Sequence, residues 1–365
     1  MNQVDIKSKF EFFRKNNIVY LDNAATTQVP DVVVNAVDSI LEYRGNPHRG
    51  AHLVAEKDEK LLDESRKNIT SFINADASEL VFTNNTTDSI NLAVDLILPK
   101  IREGDEIIIP ISEHHSNMLP FDKLIKVGAK IKTIGLNKDF IVDISNLKKK
   151  ITKKTKIVSI GHISNVLGTL NPVEEIGNYL KKNFPEIIYL VDGAQAVAHI
   201  PVDVKKIKCD FYAFSGHKMY GPCGVGGLYF SKELFSLLKP LRAGGGTVKS
   251  VSLVDNKSYS DLIIDFEKNL SILEGGTPNT SNIVGLSKAV NFIRSVGFDE
   301  IEKHEKGLVS KLLGGLEKIK GIKIYGASKA EKGKSLVSFS VEDIPTAEVG
   351  EQLDKRKICR IYKKI

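Results

Sequence analysis

The chain has 365 residues, of which 42% are hydrophobic and 27% charged, and a formal net charge of +7 at pH 7. This length is roughly two to three times that of a typical single domain, so we expect two domains. The composition argues against long disordered regions, and no apolar run approaches the about 18 residues needed to cross a bilayer. The chain has three cysteines but no CxxC pair, which argues against a disulfide framework or a structural zinc site. The N-terminus lacks the apolar core of a signal peptide, so we expect a cytoplasmic protein.

The excess of basic residues is mostly lysine. Only nine of the 52 basic residues are arginine, tryptophan is absent, and the lysine clusters contain no interleaved aromatic residues. Scattered lysine is typical of a solvated surface, whereas arginine is the usual reader of phosphates and bases. We therefore predict neither a nucleic-acid nor a membrane partner. Among the few arginines, Arg49 and Arg242 stand outside predicted helix faces and are candidates for a specific contact.

Strand-like and helix-like stretches alternate along the middle of the chain. The predicted strands are rich in β-branched or aromatic residues and span 80–83, 106–110, 130–134, 156–160, 187–191 and 211–214. Amphipathic stretches between them predict helices at 89–98, 122–127 and 172–183. Such alternation is typical of an α/β fold with a mostly parallel sheet covered by helices on both faces. The glycines at 224, 226, 227 and 244–246 predict turns.

The pattern changes after about residue 274. It predicts helices at 282–296 and 300–319, strands at 322–325 and 335–341, and a helix at 346–356. We expect residues 1–18 to be an N-terminal segment associated with a smaller domain, and 19–275 to form the large domain. Residues 276–365 would be that smaller α+β domain, which looks incomplete.

Three predicted strands are followed by polar side chains at a regular interval. Asn165, Asp192 and Lys218 follow successive strands and lie 27 and 26 residues apart. One polar strand end is most often a helix cap, but the carboxyl ends of parallel strands share the edge where open α/β folds bind ligands. Three in phase therefore predict a ligand site.

An aspartate and a lysine at such an edge fit pyridoxal phosphate. The lysine amine bonds to the cofactor aldehyde, and the carboxylate keeps the pyridine nitrogen protonated. Residues 84–88 follow a strand and open a helix, where free N–H groups favour a phosphate. An ordinary helix cap explains that segment equally well, and His217 would add a further donor.

The chain resembles the cysteine desulfurases and selenocysteine lyases among the class-V aminotransferase-like, fold-type I pyridoxal-phosphate enzymes. The resemblance is closest to the branch that serves iron–sulfur assembly, and it covers about residues 20–358. The matching segments are YLDNAATTQVP (20–30), NPHRGAH (46–52), EHHSNMLPF (113–121), HISNVLGTLNPVEEI (162–176), VDGAQAV (191–197), CDFYAFSGHKMYGP (209–222) and EGGTPN (274–279).

This resemblance implies a role for each matching residue. It makes Lys218 the Schiff-base lysine, Asp192 the partner of the pyridine nitrogen, and His114 a catalytic residue stacked on the cofactor ring. The remaining implied cofactor-binding residues are Asn165 beside the ring, Gln195 at the phenolic oxygen, Thr86, Asn85, Ser215 and His217 at the phosphate, and Thr277 from the partner subunit of a homodimer. Taken alone, His114 next to His115 would suggest a core or metal-binding histidine, but no third ligand has usable spacing, so no metal is predicted.

Two positions depart from the family pattern within the matching segments. The phosphate loop usually has glycine where this chain has Asn85, and asparagine tolerates a positive φ better than most residues. Cys223 stands where threonine is common. We expect it to be a small buried residue, with a reactive thiol as the alternative. Cys209 precedes a strand and is predicted to be core.

The C-terminal segment LDKRKICRIYKKI (353–365) departs further. The family pattern has an arginine at the position of Ile361, followed by a cysteine loop and a later arginine for the substrate carboxylate. Cys359 comes several residues before the nucleophile position. A truncated or frame-shifted product and a natural loss of the nucleophile both explain this ending. We expect full cofactor binding and little sulfide release.

The resemblance implies conversion of L-cysteine, or selenocysteine, to alanine, with sulfur passed to an acceptor or iron–sulfur scaffold protein. Two alternatives stay open. One is another class-V activity, such as a selenocysteine lyase, aminotransferase or epimerase. The other is a non-catalytic pyridoxal-phosphate-binding scaffold.

Overall fold

Seven strands form one sheet, and the remaining named strands pair in twos. The computed structural model describes residues 6–48, 50–253, 262–326 and 335–360. The strands are β1 (Val19–Tyr20), β2 (Leu80–Thr83), β3 (Glu106–Pro110), β4 (Lys130–Ile134), β5 (Thr155–Gly161), β6 (Ile188–Asp192), β7 (Phe211–Ser215), β8 (Gly226–Phe230), β9 (Val248–Leu253), β10 (Leu262–Phe266), β11 (Ile322–Tyr325), β12 (Ser338–Val341) and β13 (Ile358–Cys359). The helices are α1 (Glu11–Lys15), α2 (Asp31–Glu42), α3 (Leu53–Phe72), α4 (Thr86–Ile97), α5 (Asp122–Ile125), α6 (Ile144–Lys150), α7 (Val173–Asn183), α8 (Val204–Ile207), α9 (Thr280–Val296), α10 (Phe298–Leu316) and α11 (Thr346–Asp354).

The large sheet is mostly parallel. Its strand order is β2-β8-β7-β6-β5-β3-β4. All neighbours from β7 to β4 run parallel, whereas β8 is antiparallel to both β7 and β2. The strands predicted at 80–83, 106–110 and 130–134 have these bounds. Strands β5 and β6 differ from their predictions by one residue at each end, and β7 by one residue at its C-terminal end. The predicted α/β class is confirmed.

Both faces of the sheet are covered, because alternate residues of each strand enter different hydrophobic clusters. Tyr189 and Val191 pack in a cluster with Leu62 of α3 and Leu180 of α7. Leu190 points to the opposite face, into a cluster that includes residues of α4 and α5. Burial on both faces explains why these strands read as nearly continuous apolar runs rather than alternating ones.

Two of the glycines predicted to mark turns lie in a buried strand instead. Gly226 and Gly227 begin β8, so the turn prediction is wrong for them. A Cβ on Gly227 would come within 2.4 Å of the Phe214 ring, and one on Gly226 would come within 2.9 Å of the Asn85 Cα. These glycines therefore permit close packing across the sheet. Close approach of neighbouring groups, and not only a turn, can require glycine in a strand.

The C-terminal part forms smaller elements. Strands β11 and β12 form an antiparallel pair, and β13 pairs in parallel with β1 near the N-terminus. The predicted strand at 335–341 begins only at Ser338, and the helix predicted at 346–356 ends at Asp354. Helix α9 packs against α2 and α3, and its Ile283 and Leu286 enter the same cluster as Val191.

Within the described ranges, every helix falls short of the length and apolarity that a membrane-spanning segment needs.

Candidate active site

A cavity of about 570 Å³ opens at the carboxyl ends of β5, β6 and β7. These three strands are neighbours in the sheet, so the residues that follow them meet at one edge. Asn165, Asp192 and Lys218 all line this cavity. The strand before Asn165 ends at Gly161, and Asn165 stands in the loop beyond it rather than at the strand end itself. The sheet therefore brings together the amide, the carboxylate and the amine that the sequence placed in phase.

Asp192 is the last residue of β6 and is only 8% exposed. Its Oδ1 accepts a hydrogen bond from the Ala194 N–H at 2.9 Å. Burial raises the pKa of Asp192, and this effect is opposed by the Ala194 hydrogen bond and the positive charge of Lys218. A cation in contact with this buried carboxylate would stabilise its charged form.

Lys218 ends a short 3-10 turn, Gly216–Lys218, that follows β7. Burial lowers the pKa of Lys218, whereas the charge of Asp192 raises it. Because the pKa falls overall, more of the amine is neutral near pH 7, which is the form that attacks a carbonyl carbon. Burial therefore favours the neutral form of Lys218, while the neighbouring Asp192 carboxylate favours the charged form.

The turn that carries Lys218 is held by a loop from the N-terminal part of the chain. The carbonyl oxygen of His217 accepts hydrogen bonds from the Thr27 N–H at 2.8 Å and from the Thr26 hydroxyl at 3.2 Å. The Thr27 hydroxyl in turn accepts a hydrogen bond from the Tyr220 N–H at 2.8 Å. Thr26 and Thr27 therefore fix the lysine turn. No role was assigned to Thr26 or Thr27 from the sequence, although both lie in the matching segment 20–30.

The beginning of α4 forms one corner of the cavity. Both the backbone N–H and the hydroxyl of Thr86 lie 2.7 Å from the Ser215 hydroxyl oxygen. Asn85 is the N-terminal cap of this helix, and its side-chain oxygen accepts a hydrogen bond from the Asp88 N–H at 3.0 Å. A helix N-terminus with hydroxyl donors is a binding site for a phosphate. His217 also lines the cavity, and burial together with the charge of Lys218 lowers its pKa.

The backbone of Asn85 corrects one expectation. Its φ is −175°, which is extended, so this position needs no residue that tolerates a positive φ. The close approach is made possible from the other side, where Gly226 has no Cβ to strike the Asn85 Cα. Asparagine at this position thus costs the loop no strain.

His114 and Gln195 stand on the cavity wall. Nδ1 of His114 lies 3.0 Å from the Ser116 hydroxyl oxygen, which lies 2.6 Å from the Thr87 hydroxyl oxygen in α4. The Gln195 amide donates a hydrogen bond to the Ala24 carbonyl oxygen at 2.7 Å. The His114 side chain is exposed and lines the cavity.

Glu113, next to His114 in the chain, also lines the cavity and was missed by sequence reasoning. Its carboxylate accepts hydrogen bonds from the Gly161 N–H and the Asn117 amide. Burial raises the pKa of Glu113 to about 8. The available signal was its place in the EHHSN segment directly after β3.

Cys223 is exposed and lines the cavity, so the expectation of a buried residue is wrong. Its backbone oxygen accepts a hydrogen bond from the Asn282 amide at 2.9 Å, which places the residue on the cavity wall rather than in the core. Cys209 is 3% exposed, and its predicted core position is confirmed. Cys359 lies in β13, away from this cavity.

Thr277 does not line this cavity and is exposed. Its implied contact with the site of a partner subunit stays a prediction.

Arg242 pairs with Asp88 in the first turn of α4, which balances that carboxylate close to the phosphate corner. Arg49 and Ile361 lie outside the described residues.

Comparisons with known proteins place the chain in a family. The family model described as aminotransferase class-V matches residues 19–361. A probable cysteine desulfurase of Halalkalibacterium halodurans is 40% identical over 362 residues, which covers 97% of this chain and 86% of that protein. One of Pyrococcus abyssi is 39% identical and covers 93% of this chain and 83% of its own.

Solved structures give the same result. The apo structure of the cysteine desulfurase from Thermococcus onnurineus has a TM-score of 0.91 and 35% sequence identity, and it covers 98% of this chain and 87% of its own. This chain therefore belongs to the class-V aminotransferase family. Within that family, the relatives named above are cysteine desulfurases or probable ones.

Pyridoxal 5'-phosphate is the cofactor of this family, and the cavity fits it. Asp192 offers a carboxylate for the protonated pyridine nitrogen, and Lys218 offers an amine of lowered pKa. Thr86, Ser215 and His217 offer donors for a phosphate at a helix N-terminus. When bound, the cofactor supplies an aldehyde carbon and a ring that accepts electrons from the substrate.

Proposed function

We propose that this chain is a cysteine desulfurase that converts L-cysteine to L-alanine and passes the sulfur to an acceptor used in iron–sulfur cluster assembly. The observation that carries the proposal is the joint position of Lys218 and Asp192 in one cavity, in a chain whose relatives at 39–40% identity are named as probable cysteine desulfurases.

Each residue then has a chemical task. The Lys218 amine, whose pKa is lowered by burial, takes the proton from the substrate Cα and returns it later. Asp192 keeps the proton on the ring nitrogen. The His114 ring, which lines the cavity, covers the cofactor face in this proposal. Thr86, Ser215 and His217 hold the phosphate.

A homodimer in the cytoplasm is part of this proposal. Thr277 is exposed at the end of a loop in which Gly276 has a φ of 97°, so its side chain is available to a second copy of the chain. If it completes the partner's phosphate site, cofactor affinity falls when the dimer dissociates. Analytical ultracentrifugation with cofactor absorbance tests this, and a monomer that holds the cofactor at full occupancy would contradict it.

The central experiment measures alanine and sulfide formed from L-cysteine by the cofactor-loaded protein. Mass spectrometry of the protein then locates any extra sulfur atom on Cys209, Cys223 or Cys359. Alanine formed together with a persulfide on this chain supports the proposal. Amino-acid turnover without any persulfide supports another class-V activity instead. Selenocysteine, assayed in parallel, defines the substrate preference.

A further inference from the structure

Next to His114 in the chain lies a partly buried set of hydrogen bonds that the proposed reaction does not use directly. Oε1 of Glu113 accepts from the Gly161 N–H at 2.8 Å, and Oε2 accepts from the Asn117 side-chain amide at 2.7 Å. The Asn117 side-chain oxygen accepts from the Ser159 hydroxyl at 2.5 Å. Asn117 and Ser159 are both fully buried.

These bonds join two different elements. Gly161 and Ser159 belong to β5, near its carboxyl end. Glu113 and Asn117 lie on either side of the turn that presents His114, and the Asn117 N–H donates to the His114 carbonyl oxygen at 2.8 Å. The turn is therefore tied to the strand on both sides of His114.

The contact with β5 is close. A Cβ on Gly161 would lie 3.1 Å from Oε2 of Glu113, so a side chain at 161 would press on the carboxylate. Gly161 is also the residue paired with Asp192 in the neighbouring strand. The Glu113 carboxylate thus reaches the strand position next to Asp192, the aspartate that would contact the ring nitrogen.

We propose that Glu113 is a positioning residue that fixes the His114 turn against the end of β5 and thereby sets the place of the His114 ring over the cofactor. This inference rests on the proposed function, because it assigns His114 a ligand. Glu113 lines the cavity but acts on His114 by reach and hydrogen bonding, and the proposed reaction assigns it no step of its own. Burial and the nearby Asp192 charge raise its pKa, in agreement with a role that needs no negative charge.

Two substitutions separate the length of the Glu113 side chain from its carboxyl group. Glu113→Gln keeps the reach, because the glutamine oxygen still accepts from Gly161 and its amide donates to Asn117 after the Asn117 amide rotates. Glu113→Asp keeps the carboxyl group, but its shorter side chain cannot meet Gly161 and Asn117 together. We expect Glu113→Gln to keep kcat within a few-fold and Glu113→Asp to lower kcat by about 10- to 100-fold, since small displacements at a reacting centre have effects of this size.

A double-mutant cycle tests whether the effect runs through His114. In a His114→Ala background, Glu113→Asp is expected to change kcat less than about two-fold, because coupled residues are strongly non-additive. Full additivity of the two effects would overturn the inference. So would a Glu113→Gln variant as impaired as Glu113→Asp.

Two readouts do not depend on turnover. The visible circular dichroism of the bound cofactor should change in Glu113→Asp and in His114→Ala, because both alter the groups around the ring. Amide hydrogen exchange at residues 114–117 in the cofactor-free protein should accelerate in Glu113→Asp. If L-cysteine is not turned over at all, the proposed function fails while these two measurements still decide the role of Glu113; unchanged dichroism and exchange would overturn it.

Glu106 supplies a matched control. It is also a buried carboxylate that contacts β5, where Oε2 accepts from the Thr152 and Thr155 hydroxyls at 2.6 and 3.3 Å, but it stands at the opposite end of the sheet. Glu106→Asp shortens a buried acid by the same amount and should leave both the cofactor dichroism and the exchange at 114–117 unchanged. An equal change in this variant would mean that Glu113→Asp acts through general loosening of the fold.

Discussion

Strands β7 and β12 differ in how firmly the rest of the molecule holds them. Every residue of β7 is buried, between two layers of helices, whereas every residue of β12 is partly exposed. Asp192 and Lys218, which we propose bind the cofactor, stand at the end of β6 and in the turn after β7, in the part of the fold that packing constrains on both faces. Precise chemistry is thus placed where side-chain positions are least free to change.

The largest expected difference between the two regions is catalytic. Lys218→Ala should lower turnover of L-cysteine by at least about 10³-fold, because the amine that moves the proton is lost. Lys323→Ala, in β11 of the C-terminal hairpin, removes an equal charge and should change turnover by less than about two-fold. The test is kcat with both variants at equal cofactor content. Reduction of the cofactor onto a lysine other than Lys218 would show that the assignment is wrong.

The second expected difference between the large sheet and the C-terminal hairpin is the effect of a substitution on the free energy of unfolding. Ile160 in β5 is 0% exposed, whereas Ile324 in β11 is partly exposed. Ile160→Ala should lower the free energy of unfolding by about 2–5 kcal/mol, since a buried cavity remains, and Ile324→Ala by about 1 kcal/mol or less. Urea unfolding of both variants measures this difference. Equal losses would mean that β11 is as firmly packed as the large sheet.

The pH dependence of stability should report the buried acids of the site. Burial raises the pKa of Glu113 from 4.5 to about 8, so between these values the folded chain keeps a proton that the unfolded chain has released. Raising the pH from about 5 to 8 should therefore remove the stabilising contribution of Glu113 to the cofactor-free protein, and the raised pKa of Asp192 acts in the same direction. His162 and His217, whose pKa values burial lowers, oppose this effect at the acidic end of the range. Lys218 acts oppositely at higher pH, because its pKa is lowered from 10.5.

Glu113→Gln tests this linkage, because it removes the titrating group and keeps its shape. Between pH 5.5 and 8, the free energy of unfolding of this variant should fall less, or rise more, than that of the unchanged chain, by on the order of 1–3 kcal/mol. Urea titrations at the two pH values provide the measurement. Identical pH slopes for the two proteins would show that Glu113 titrates normally.

Cysteine labelling gives the smallest but simplest contrast. Cys223 lines the cavity, so iodoacetamide should modify it, and bound cofactor should slow that reaction by about 10-fold through occlusion. Cys209 is 3% exposed and burial raises its pKa, so it should react only after unfolding. Peptide mapping by mass spectrometry resolves the sites. Labelling of Cys223 at the same rate with and without cofactor would place it away from the bound ligand.

Sequence reasoning anticipated the parts of this site that follow directly from local patterns. Asp192 and Lys218 come after runs of apolar and aromatic residues, one βαβ unit apart, and a parallel sheet must bring such residues to one edge. The strand bounds could be predicted equally well from the sequence, because buried parallel strands are continuous apolar runs.

The parts it missed depend on contacts between distant segments. No local pattern shows that Thr27 holds the turn of Lys218, or that Gly226 makes room for the Asn85 backbone. Glu113 looks like an ordinary loop acid until the end of β5 is placed beside it. Cys223 was expected to be buried because free cysteine is among the most buried residue types, although the chain exposes it to the cavity.

The antiparallel pairing of β2 with β8 has a consequence for the order of events on the ribosome. Within the large sheet β2 pairs only with β8, and Thr83 is matched to Gly226, so an early segment of the chain waits for one made much later. Until Phe230 has emerged, the corner around Thr86 has no strand between it and the lysine turn. A nascent chain can therefore have Asp192 and Lys218 before it has a finished phosphate corner. Stable capture of the cofactor consequently requires that the closing strand is in place.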